Sequence, residues 1–321
     1  MEDIVQGKSI LVTGGTGSLG LALAAHLKSA ARVRIFSRDE KKQLDMKGLY
    51  PDFEYILGDV RDLPTVRNAV RDMDLVIHAA SLKYVDISEL QPNAYVSTNV
   101  IGTQNILAAV LEERMVSHCV GISTDKACQP FNTYGLTKSI LEKLFLEAHA
   151  NRGEKIRTVF NVARYGNVVG TRGSVVPRWA AMRLKNEPLP LTDPEMTRFF
   201  FTLEEAVDLI RFAFMSESGV IVSKKMSACT LGMLAEVMAT NGVVVSGRRP
   251  GEKTHEMLLS PEEMSRSFEV GDKFVFEPFG LVKQHYARSY TSDRAPQLTE
   301  EDLHGLLNEY LDVSRYIENK L

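Results

Sequence analysis

The stretch SILVTGGTGSLG, Ser9 to Gly20, decides how this chain folds. A short β-rich run, Ser9 to Thr13, enters a glycine turn, and a helical pattern begins at Ser18. Gly14, Gly17 and Gly20 are spaced as in a strand–turn–helix anion cradle. Without β-carbons the backbone turns tightly and comes close to a pyrophosphate. The helix start offers unpaired N–H groups and the positive end of its dipole to that anion. Thr16, Ser18 and Leu19 belong to the same turn, so a dinucleotide cofactor is expected here.

The pattern continues outward from this turn. RVRIF (Arg32 to Phe36), YILG near Tyr55, LVIHAA from Leu75, HCVGIS (His118 to Ser123) and RTVFNVA (Arg157 to Ala163) alternate with helical spacing. One long helix is predicted from about Ala94 to Glu113 and another from Tyr134 to about His149. The apolar runs do not alternate strictly, as expected of parallel strands buried on both faces. The fold class is therefore α/β, a doubly wound parallel sheet with a smaller C-terminal substrate domain. Residues 1–165 are read as the cofactor domain, with a return segment near 200–224. Residues 166–199 and 225–321 are read as the substrate domain.

The second strand runs into Ser37 and Arg38. A hydroxyl and a guanidinium suit a 2′-phosphate, which favours NADP; Asp39, one residue later, keeps a ribose-binding acid for NAD open. Asp59 and Val60 follow the third strand where adenine would lie. Ala79 and Ala80 follow the fourth, small enough to let backbone pass beside the cofactor. Asn99 is placed on the long helix as a supporting contact.

Tyr134 and Lys138 form YxxxK, an i, i+4 pair on one helix face. A phenol ionises near 10, so it needs neighbouring positive charge to act as a base at neutral pH. Tyr134 would take a proton from a sugar hydroxyl while the carbon gives up hydride. Lys138 would also hold the nicotinamide ribose. Thr124 or Ser123 supplies a hydroxyl beside the phenol. Asp125 and Lys126, directly after Thr124, add an acid and a base: oxidation at C4 acidifies the C5 proton, and elimination of the C6 hydroxyl follows.

The 321 residues are 44% hydrophobic and 25% charged, with a net charge of -3. That is ordinary globular composition and argues against a nucleic-acid partner. Cys119, Cys128 and Cys229 match neither a disulfide framework nor a zinc site. No apolar run reaches membrane-spanning length, and Met1 to Lys8 carries acidic residues, so neither a membrane span nor a signal peptide is expected. The expected location is the cytoplasm, with no metal.

TGGTGSLG, FSRDEKKQ, GDVRD, HAASLKYVD, TNVIGTQN, STDKA, YGLTK, RYGNVVGTRGSVVP, DPEMTRFF, LEEAVDLI and RPGEKTHEML occur in this order. Together they resemble the C5-inverting UDP-N-acetylglucosamine 4,6-dehydratases of the extended short-chain dehydrogenase/reductase group, which have a Rossmann fold and serve capsule and pseudaminic acid pathways. The resemblance runs from about residue 8 to about residue 300. It implies Thr124 and Tyr134 for the oxidation, Asp125 as acid for the C6 hydroxyl and Lys126 as C5 base. It places Lys83 near the substrate, with Asn167, Arg198, Arg249 and Glu252 facing a UDP group, and it implies a homo-oligomer. Retaining relatives are typically membrane-anchored and carry Met where this chain has Tyr134. The chain departs from the usual pattern at Ser81 and Tyr84, and in CQPFNTYGL.

Two other readings compete. A UDP-sugar C4 epimerase or 4-reductase would leave Asp125 and Lys126 with a structural role. A non-catalytic NADP-binding regulator predicts loss of Tyr134, Lys138 or the glycine turn, all of which are present.

Overall fold

Alternate residues of the first strand settle how the layers form. In the computed structural model, which describes residues 1–283 and 288–311, Ile10 and Val12 point into one core and Leu11 into the other. A strand with both faces buried belongs in the middle of a three-layer sandwich. Six strands alternate with helices: β1 (Ser9–Thr13), β2 (Arg32–Ser37), β3 (Glu54–Leu57), β4 (Leu75–His78), β5 (His118–Thr124) and β6 (Val159–Tyr165). They pair in parallel in the order β3-β2-β1-β4-β5-β6. The direction of winding reverses between β1 and β4, and ligands of such sheets bind beyond the strands' carboxyl ends at that point. The fold is doubly wound α/β, as expected.

The sheet continues beyond β6. Helix Leu203–Met215, closed by a Thr202–Glu205 capping box, leads to strand Ile221–Lys224, which pairs in parallel with β6. The hairpin Ser267–Val270/Lys273–Phe276 then adds two antiparallel strands at the edge. This hairpin lies in the range assigned from sequence to the substrate domain, yet its strands belong to the large sheet.

A separate apolar cluster forms beside that layer. Trp179, Leu189, Leu191, Phe200, Leu234, Met238 and Leu307 pack together, drawn from helices Val175–Leu184, Leu231–Met238 and Glu300–Leu311 and from small sheets. The C-terminal range predicted as substrate domain includes residues 284–287 and 312–321, which lie outside the described residues.

The long helix predicted from Ala94 to Glu113 is broken into three. Pro92–Tyr95 is α-helical, Val96–Ile101 is a π turn and Gly102–Glu113 is α-helical again. The π turn carries Asn99, and such turns recur at functional sites.

Candidate active site

A cavity of about 810 Å³ opens beyond the carboxyl ends of β1, β4, β5 and β6, between the large sheet and the C-terminal segments. Of the predicted cofactor contacts, Gly14, Gly17, Ser18, Leu19, Ala79 and Ala80 line it. Gly14 has φ +67°, and a β-carbon there would lie 2.8 Å from the Ala80 backbone. Only glycine fits that crossing. Gly20 does not line the cavity; its missing β-carbon lets the helix pack on the Gly15 carbonyl. Thr16 is buried behind the turn.

Ser37, Arg38, Asp59 and Val60 lie outside the cavity lining, at the ends of β2 and β3. The Ser37 hydroxyl accepts from Gln43 Nε2 (3.1 Å). Asp59 receives Arg61 through two guanidinium contacts (3.0 and 2.7 Å), and Arg38 Nη1 approaches it at 3.6 Å. Val60 is buried and its carbonyl accepts from Asn105. Asp39 caps helix Glu40–Leu49 by accepting from Lys42 N (3.0 Å) and pairs with Lys42 Nζ (2.7 Å). These bonds to Lys42 hold its carboxyl below the usual range, and the Arg172 charge acts in the same direction.

Asn99, expected as a supporting cofactor contact, is not among the residues that line the cavity. Asn99 is fully buried, accepts from Leu82 N (2.8 Å), and donates to Leu82 O (3.0 Å) and Thr137 Oγ1 (3.0 Å). These bonds tie the loop around Leu82 to the helix that bears Tyr134.

The catalytic candidates converge. Helix Thr133–Asn151 starts at Asn132, whose side chain accepts from Gly135 N (2.7 Å). A β-carbon on Gly135 would lie 2.2 Å from the Lys126 carbonyl, so this glycine lets the helix meet the 3₁₀ turn Asp125–Ala127. Tyr134 lines the cavity together with Thr124, and its ring packs edge-on against Tyr95. Burial pushes the phenol up to about 12, while Lys126 and Thr124 act to lower it. Lys138 is buried and donates to the Ile122 carbonyl; burial lowers it to about 8, opposed by Glu142.

Thr124 Oγ1 donates to Asp125 Oδ1 (2.9 Å), and Lys126 Nζ donates to the same oxygen (3.0 Å). Asp125 is completely buried, and its Oδ2 finds no partner among the described residues. Burial acts to lower Lys126, but the charges of Asp125 and Glu256 outweigh it and hold the ammonium above its usual range.

On the opposite wall, Lys126 Nζ reaches Asn167 Oδ1 at 3.4 Å. Arg198 lines the cavity while donating to the Thr197 and Thr254 carbonyls. Arg249 and Glu252 also line it and pair with each other (2.6 Å). Lys83 lines it and donates to the Arg172 carbonyl (2.9 Å); burial lowers its ammonium.

The sequence reading missed four residues. Glu256 lies in the quoted RPGEKTHEML run but was not singled out. Arg172 donates its backbone N–H to Ser18 Oγ (3.0 Å), bringing the loop after β6 onto the glycine turn. Ser174 and Arg178 stand at the start of helix Val175–Leu184 and line the cavity; Ser174 Oγ is buried without a partner among the described residues. The usable signal was the glycine pair Gly170 and Gly173, both with positive φ, around Arg172. The three cysteines are buried free thiols, and no metal-holding cluster occurs among the described residues.

A doubly wound sheet, a glycine turn and a Thr–Tyr–Lys group at the end of β5 together define an extended short-chain dehydrogenase/reductase. Within that class the chain belongs to the family described as polysaccharide biosynthesis protein, whose model matches residues 10–278. A Campylobacter jejuni protein (serotype O:23/36, strain 81-176) named UDP-N-acetylglucosamine 4,6-dehydratase (inverting) is 37% identical, over 97% of this chain and 98% of its own length. A Rickettsia bellii (strain OSU 85-389) protein named UDP-glucose 4-epimerase is 39% identical, over 94% and 95%. Among solved structures, Pen from Bacillus thuringiensis superposes with a TM-score of 0.89 at 32% identity, covering 95% of this chain and 98% of that one. A dTDP-glucose 4,6-dehydratase from Streptomyces venezuelae, solved with NAD, shares the fold at 20% identity (TM-score 0.69; 77% of this chain, 86% of that one). No helix among the described residues is long and apolar enough to cross a membrane.

Proposed function

We propose that the protein is an NADP-dependent, C5-inverting UDP-N-acetylglucosamine 4,6-dehydratase, a hydro-lyase that regenerates its cofactor within each turnover. The observation that carries this reading is the Asp125–Lys126 pair, joined at 3.0 Å beside Thr124 and Tyr134. A simple oxidoreductase has no use for a second acid and base there.

Bound NADP supplies the acceptor of the C4 hydride and the donor that returns it to C6. Tyr134, assisted by Thr124, takes the proton of the C4 hydroxyl. Lys126 then removes the C5 proton, and Asp125 protonates the departing C6 oxygen. One proton moved along the Lys126–Asp125 hydrogen bond turns the resting ion pair into a neutral amine and a carboxylic acid, which are the forms needed. Asn167, Lys83, Arg198, Arg249 and Glu252 bind the UDP-sugar. Ser174 and Arg178, at a helix N-terminus, offer donors to its diphosphate.

Support for NADP comes from the commitment of Asp39 to its helix cap and from Arg38, Lys42 and Arg172 around the end of β2. The protein would hold this cofactor tightly, act in the cytoplasm and assemble as a homo-oligomer.

The competing reading is 4-epimerisation, the activity in the name of the Rickettsia relative. Incubation with UDP-N-acetylglucosamine in D₂O separates the two. Mass spectrometry should show loss of one water and gain of carbon-bound deuterium. A product with the mass of the substrate refutes the dehydratase reading.

A further inference from the structure

Lys126 stands between two carboxylates, of which only Asp125 has a role so far. Glu256 is 2% exposed and lines the cavity. Its Oε1 lies 3.3 Å from Lys126 Nζ and 3.7 Å from Arg198 Nε. Its backbone N–H donates to Ser292 Oγ (2.9 Å), and Ser292 N donates back to its carbonyl (2.9 Å). The residue is therefore fixed by its main chain. Its side chain does not serve the scaffold in full, because buried Oε2 finds no partner among the described residues. A buried carboxylate half-used by its surroundings is costly to keep unless the site needs its charge.

We propose that Glu256 is a positioning residue that holds Lys126 in place and keeps a negative charge against it throughout elimination. The inference rests on the reading of Lys126 as the C5 base. In that step the C5–H bond breaks and its proton goes to Lys126 Nζ. The electron pair forms the C5–C6 double bond, the C6–O bond breaks, and the proton on Asp125 leaves with the oxygen as water. Asp125 carries no charge while it holds that proton, just when the amine must attract one. Glu256 is then the anion left beside Lys126. It stays charged while Asp125 is neutral, and so goes on holding Nζ in place through the step.

The groups around Lys126 come from several elements: Asp125 from its own turn, Tyr134 from the helix, Asn167 and Arg198 from the C-terminal side, and Glu256. Arg198 opposes Glu256, so loss of the Glu256 charge would leave that cation unbalanced near Lys126.

The test compares Glu256→Gln, Glu256→Asp and the unmodified protein in two assays. Deuterium entry at C5 and water loss from UDP-N-acetylglucosamine read the elimination. Reduced-nicotinamide absorbance with the 6-deoxy analogue, which has no C6 hydroxyl to lose, reads C4 oxidation alone. Glu256→Gln should slow elimination about 10- to 100-fold and slow C4 oxidation, on which Lys126 acts only through its charge beside Tyr134, by less than about fivefold. Its rate should also rise at a lower pH than before, by about one unit, because the amine loses its proton more easily. Glu256→Asp, which keeps the charge, should restore the pH profile. Unchanged elimination and pH profile in Glu256→Gln would overturn the proposal, as would equal loss of both steps in both variants. If the unmodified protein itself exchanges no deuterium at C5, the dehydratase reading fails instead.

Discussion

At Tyr134 the balance of effects is unfavourable to a base on its own. Burial moves the phenol to about 12, and the cation acting to lower it is Lys126 rather than Lys138, the partner expected on its own helix. Lys126 is therefore placed to serve both proton transfers. Lys126→Ala is expected to oxidise C4 slowly while C5 deuterium exchange disappears; dehydration at the unmodified rate would remove Lys126 from the base role. At the other end of the cleft, Arg38→Ala and Arg172→Ala should each weaken NADP about tenfold and barely affect NAD, as measured by titration calorimetry. Equal weakening of both cofactors would show that neither guanidinium reads a 2′-phosphate. Most of these residues were legible as sequence, since YxxxK, STDK and the glycine turn bring chemistry and local geometry together. Glu256 was not. An acid followed by the apolar run Met257 to Leu259 gives no sign that a chain returning some 130 residues later will face Lys126.

Elements, in turn, were readable where a pattern is local. The alternating runs gave β1 to β6 because an apolar strand between helices needs no distant information. The π turn at Val96–Ile101 escaped, because its cause is tertiary: Asn99 is held by Leu82 and Thr137. Helix Val175–Leu184 was hidden by glycines before it and by Pro177 within it. That proline falls in the first turn, where a missing N–H removes no helical bond. A further link between elements runs through His78. Ala80 N donates to Thr13 Oγ1, which lies 2.8 Å from His78 Nδ1. His78 Nε2 lies 3.1 Å from Thr103 Oγ1, which donates to Asn99 O. The hydroxyl of Thr103 is thus engaged as a donor, so the imidazole proton sits on Nε2 and Nδ1 accepts. Burial lowers His78 to about 3, with Lys138 adding to it. The unfolded chain therefore binds this proton more readily. The neutral ring contributes its full stability above about pH 6.5, and that contribution is lost progressively as pH falls toward 3. Thermal melts should drop across this window, and His78→Gln should flatten the drop. An unchanged acid limb in that variant would show that His78 is not the group responsible.

The molecule as a whole keeps an apolar face in solvent. Val96, Ile101, Leu136 and Ile140 are each between 42% and 50% exposed, on the π turn and on the helix that carries Tyr134. Apolar side chains gathered on neighbouring helices suit a second copy of the chain. Light scattering should find a dimer or larger assembly, and Ile140→Glu should dissociate it; a monomeric unmodified protein would contradict this. Such a surface is faintly written in sequence, because an exposed Leu or Ile reads like any core residue until the fold shows which way it points. The same limit applied to the edge hairpin Ser267–Phe276, whose turn is local but whose partner, Ile221–Lys224, lies some 50 residues earlier.

NMR of the product formed from UDP-N-acetylglucosamine in D₂O tests the central claim most directly. The account predicts a 4-keto-6-deoxy sugar nucleotide with deuterium at C5, inverted configuration at that carbon, and NADP oxidised again at the end of turnover. A product that keeps its C6 hydroxyl, with or without a change at C4, would contradict it.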